Sequence, residues 1–143
     1  MISRLLNAFK NNSLILKCTM VLLAGFCFLW SMQLFIAGNA YYSVKNDIEG
    51  WQLNPNKASI KRIDSGLGKI SSAIDYFPDN ALYYQIQGQL FEWKAVVEKR
   101  SEESGDAGLD LHSNSANLDN AAQSYEKSLL LRPTWSGSWI GLA

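Results

Sequence analysis

The chain has 143 residues, 48% of them hydrophobic, and its 13 basic and 13 acidic side chains cancel. No basic excess is present to hold nucleic acid, and a single histidine leaves little from which to assemble a zinc site. A lone core in a chain of this size is marginally stable.

Residues 1–17 form a basic leader carrying Arg4, Lys10 and Lys17, with no acid before Asp47. From Cys18 to Ala37 twenty residues follow without a charge, and only Thr19, Ser31 and Gln33 are polar. A helix of that length spans roughly 30 Å, the thickness of a bilayer's hydrocarbon core. Residues 18–37 are therefore predicted to be a transmembrane helix. Its leader is +3 and residues 38–143 are −3, so the amino terminus stays in the cytoplasm and the remainder crosses. Trp30, Phe35, Tyr41 and Tyr42 gather toward the far end, where aromatic rings favour the headgroup region.

A cleaved signal peptide is the competing reading, because Gly38-Asn39-Ala40 places small residues for a cut after Ala40. The apolar run exceeds the roughly 7–15 residues of a secretory core, which favours an uncleaved anchor. A lipoprotein is disfavoured by Phe26 ahead of Cys27. Cys18 and Cys27 both fall inside the apolar run, so no disulfide can staple the exported part.

Residues 38–56 read as a polar juxtamembrane connector, with Asn46, Gly50 and Asn54-Pro55-Asn56 breaking any long helix. Ile60, Ile63, Leu67, Ile70 and Ile74 then recur at helical spacing. Pro78 stops that helix, and Asp79 or Asn80 can cap the next. The second helix carries Leu82, Ile86, Leu90 and Phe91 and is expected to end near Arg100. Residues 101–117 hold four acids, four serines and two glycines, the composition of a solvated acidic insertion. Leu118, Ala121, Ala122, Tyr125, Leu129 and Leu130 mark a third helix, which Pro133 ends. No strand-like alternation is present, and the predicted class is all-α.

Steps of twelve, eight and five back from Pro78 reach Gly66, Ile70 and Ala73, and from Pro133 they reach Ala121, Tyr125 and Ser128. Forward from Pro78, steps of six, ten and thirteen reach Tyr84, Gly88 and Phe91, and from Pro133 the first two reach Trp139 and Ala143. Small residues at such positions let antiparallel helices approach, while aromatics fill the gaps. This pattern resembles a tetratricopeptide repeat, so residues 57–143 are expected to form a small helical-hairpin domain of that kind after the membrane helix. Gln87 departs from the pattern, where an apolar residue is usual. The two prolines are 55 residues apart against about 34 in the repeat, a surplus roughly matched by the insertion. A plain helical bundle with coincidental proline stops is the alternative.

Ser65-Gly66-Leu67-Gly68-Lys69 fails as a phosphate loop, because Ile63 stands at the first glycine position and Ile70 follows the lysine. No nucleophile–base set, metal constellation or cofactor motif is visible, so a non-enzymatic role is expected, with no cofactor. The remaining surplus is aromatic. The candidate interaction surface comprises Tyr83, Trp93, Trp135, Trp139, Ile140 and Leu142, with Trp135 and Tyr83 the expected exposed contacts. About one and a half repeats leave the apolar face around Trp139, Ile140 and Leu142 partly open. That end is expected to dock onto another protein or a second copy.

Leu29-Trp30-Ser31-Met32-Gln33-Leu34, Ala37-Gly38-Asn39-Ala40-Tyr41-Tyr42 and Phe77-Pro78-Asp79-Asn80 are the words of a further resemblance. So are Ala73-Ile74, Gln89-Leu90-Phe91-Glu92-Trp93 and Leu131-Arg132-Pro133-Thr134-Trp135. The layout resembles the VpsP family of bacterial polysaccharide biosynthesis proteins. The resemblance implies an inner-membrane, single-pass accessory with a periplasmic domain, supporting extracellular polysaccharide of the biofilm matrix through contacts with other membrane or periplasmic proteins. It supplies no catalytic residues. A periplasmic carbohydrate-binding module and a scaffold of a pilus or secretion machine are the alternatives.

Overall fold

A computed structural model describes residues 2–103, 111–134 and 140–142. Every described element is helical: α1 (Ile2–Leu53), a 3-10 turn (Pro55–Lys57), α2 (Ile60–Tyr76), α3 (Ala81–Glu103) and α4 (Leu111–Leu131). The chain divides into two compact units, Met1–Phe35 and Ile36–Ala143.

In the first unit the apolar run is helical and its side chains face outward. Met20, Leu22, Phe26, Phe28, Trp30 and Phe35 are each at least half exposed, and Cys18 and Cys27 are exposed free thiols. Ser31 returns its hydroxyl to the Cys27 carbonyl at 2.8 Å, so a polar group on this helix is satisfied by its own backbone. A continuous apolar surface of this kind is unfavourable in water and suits hydrocarbon. One helix of the described residues is thus long and apolar enough to cross a membrane.

Residues 38–53, expected as a broken connector, are helical without interruption to Leu53. Ala37, Val44, Ile48 and Trp51 lie at spacings that return to one face, and all four are buried. An internal glycine costs a helix only about 1 kcal/mol. Burying a Trp, an Ile and a Val contributes more, at about 1.5–3 kcal/mol for each aliphatic side chain. Gly50 and Asn46 therefore ride on the outer side without breaking α1.

This face packs with Ile63, Ile70 and Ala73 of α2 and Tyr83, Ile86, Leu90 and Val97 of α3 in one core. Gly66 permits the approach: a Cβ there would stand 3.2 Å from Leu90 Cδ2 and 3.7 Å from Val44 Cγ1. Arg62 to Asp47 (2.6 Å) and Lys94 to Asp64 (2.8 Å) tie the helices at the rim. Such exposed pairs contribute little stability and mainly fix register.

The turn between α2 and α3 follows the expected chemistry. Phe77 leaves the helical conformation while its N–H still donates to the Ala73 carbonyl at 3.0 Å, and the Asn80 side chain accepts the Leu82 N–H at 3.1 Å. The insertion, however, is shorter in outline than its composition implied. α3 continues to Glu103 and α4 begins at Leu111, while residues 104–110 lie outside the described residues. Asn117 is buried, not solvated, because its amide donates to Glu98 Oε2 at 2.7 Å.

Candidate interaction surfaces

The tightest seam in the domain is α3 against α4. Gly88 of α3 faces the Tyr125 ring of α4, and a Cβ on Gly88 would stand 2.8–3.0 Å from three of its carbons. The opposite edge of the same ring meets Gly141, within the helical residues 140–142. A large planar side chain is thus held between two positions that carry no side chain. The Tyr125 hydroxyl bonds to the Glu92 carboxylate. Burial lifts the Glu92 carboxyl above its ordinary value despite that bond, and it lifts the Tyr125 phenol further, aided by the Glu92 charge.

Polar contacts continue along the seam. Ser128, fully buried, donates to the Ala81 carbonyl at 2.9 Å, and Ser124 donates to Gln87 Oε1 at 3.2 Å. Gln87, out of place as an apolar residue, serves as an acceptor for α4.

The expected contact residues divide. Tyr83 is 7% exposed, its ring 6.0 Å from Tyr41 and its hydroxyl bonded to Asn80, so it is a core residue and not an exposed contact. Burial raises its phenol above the ordinary value. Trp93 is half-buried and meets the buried Trp51 edge-on at 5.9 Å. Both rings are covered by the part of α1 that the sequence suggested was a connector. Trp135 and Trp139 lie outside the described residues.

Ile140 and Leu142 remain at a surface. Ile140 is 76% exposed, and Leu142 lines an apolar groove of about 560 Å³ with Leu129, Leu130, Pro133 and Glu126. Leu130, in sequence one of the periodic apolar residues of the third helix, is 78% exposed. Its signal was Leu129-Leu130-Leu131, more apolar positions in succession than one helix face can bury.

No group of three or more potential metal ligands occurs among the described residues. Comparison with protein-family models, curated proteins and solved structures finds no match for this chain.

Proposed function

We propose that the chain is a single-pass inner-membrane protein with a cytoplasmic amino terminus, whose helical domain lies in the periplasm. It serves there as a non-catalytic accessory to the synthesis or export of an extracellular polysaccharide. It acts through contacts with other proteins of that system. The observation that carries the contact role is the apolar groove beside α4, where Leu129, Leu130, Pro133 and Leu142 come together and Leu130 is 78% exposed. The polysaccharide setting rests on the VpsP resemblance in the sequence.

A tetratricopeptide-like reading of the domain is supported by three features. Val44, Ile48 and Trp51 repeat the spacing of Tyr84, Gly88 and Phe91. Gly66, Ile70 and Ala73 are buried in α2, and Ala121, Tyr125 and Ser128 in α4, at matching distances before Pro78 and Pro133. Gly88 meets Tyr125, a small residue against a bulky one. In such arrays each helix pair is covered by the next, which gives the groove beside α4 its natural use.

The test is complementation of a deletion strain. Loss of the protein reduces matrix polysaccharide, the wild-type chain restores it, and Leu130→Asp does not, although it reaches the membrane in equal amount. Unaltered polysaccharide in the deletion strain overturns the setting. Full complementation by Leu130→Asp overturns the use of the groove.

A further inference from the structure

Between α1 and α3 lies a second cavity, of about 260 Å³, whose walls are polar. Its base is Ile48 and Ile86, both almost fully buried. Above them stand Lys45, Glu49 and Gln52 from α1 and Gln85 and Gln89 from α3, with Tyr41 at one end. Lys45 to Glu49 and Gln85 to Gln89 are each one helical turn apart, so their side chains rise on one face at about 5–6 Å.

Three properties narrow what fits. The cavity is smaller than the roughly 300–1,000 Å³ that takes a drug-sized ligand, so the occupant is about one ring in size. Its charges cancel: Lys45 Nζ is 3.8 Å from Glu49 Oε1, and no other ionic group lines it, which disfavours phosphate, carboxylate or a metal ion. Gln52, Gln85 and Gln89 line it, and each side-chain amide can both donate and accept a hydrogen bond. A compact, uncharged ligand that donates and accepts around its rim and presents C–H groups to an aliphatic base answers all three.

We propose that this cleft binds one neutral pyranose ring, as a free hexose or as one unit of a glycan. The glutamine amides take its hydroxyls and Ile48 and Ile86 meet its C–H face. The site goes beyond the proposed function and does not depend on it.

The test uses the full chain in lipid nanodiscs, prepared with a detergent that has no sugar headgroup. Glucose, galactose and mannose, and linear oligosaccharides of each, are titrated by saturation-transfer NMR. At least one is expected to bind saturably, with a Kd on the order of 1 mM for the free sugar. Gln85→Leu/Gln89→Leu is expected to weaken it roughly tenfold or more, and Gln52→Ala several-fold, with thermal unfolding unchanged. Tighter binding of the oligosaccharide assigns a glycan as the source; equal binding assigns the free sugar. The proposal is overturned if no sugar saturates up to about 50 mM, if the glutamine variants bind equally, or if glycerol competes as well as the hexose. These variants leave the Leu130 groove intact, so failure of sugar binding and failure of complementation are separate results.

Discussion

Gly88→Ala is the sharpest probe of the α3–α4 seam, and Gly68→Ala is its internal reference. Both glycines lie inside helices, so each alanine gains about 1 kcal/mol of helix propensity. Around Gly68 nothing lies within 4 Å of the new methyl group, and the gain is realised in full. At Gly88 the methyl group would meet three Tyr125 ring carbons at 2.8, 2.9 and 3.0 Å. The ring cannot withdraw, because Gly141 occupies its other edge. Overpacking of this kind costs about 1–3 kcal/mol, which cancels the propensity gain or exceeds it. The two variants should therefore differ by about 1–3 kcal/mol, or about 4–20 °C in Tm for a domain of this size. Near-UV circular dichroism of the full chain in nanodiscs, read against temperature, follows the domain's aromatic packing. Equal stabilisation by the two alanines would refute the clasped-ring geometry.

Stability should also fall as pH rises through the carboxylate range. Glu92 has a raised carboxyl in the folded state, so the fold holds its proton more tightly than the unfolded chain does. The penalty is absent below the ordinary value of 4.5 and complete above the raised one. Glu92→Gln should flatten that part of a urea-midpoint profile, and a profile unchanged by the substitution contradicts the assignment. Ser128→Ala should cost about 1 kcal/mol in urea unfolding by removing the bond to the Ala81 carbonyl. A neutral result there means the bond is not formed. In sealed membranes Cys27 should resist a maleimide reagent and react once detergent is added, since a thiol needs water to ionise. Labelling without detergent would place that residue outside the bilayer.

Much of the domain was legible because its signals are local. Ile63, Ile70 and Ala73 recur on one helical face, and Asn80 and Pro78 punctuate the turn that separates α2 from α3. The burial of Ala121, Tyr125 and Ser128 could be counted from Pro133. Residues 38–53 read as a broken connector because glycine and asparagine count as breakers, whereas in the fold Val44, Ile48 and Trp51 return to one buried helical face. That difference carries to the surface. With residues 38–56 read as a connector, Tyr83 has no neighbour to cover it, whereas Tyr41 lies against it in the fold. The pairing of Asn117 with Glu98 joins residues far apart in sequence, and no local pattern announces it. Gly141 against Tyr125 is equally non-local.

The uninterrupted helix through residues 37–53 also sets an order of events. Ala37 is fully buried and Ala40 packs on the same core, so the bond after Ala40 sits in hydrogen-bonded helix beside the domain's interior. A peptidase acts on locally opened chain, and here opening means pulling a core helix from its neighbours. Any cut at that bond must therefore win a race against folding. Once α2 and α3 have closed over Val44, Ile48 and Trp51, the fold protects its own amino-terminal segment from removal.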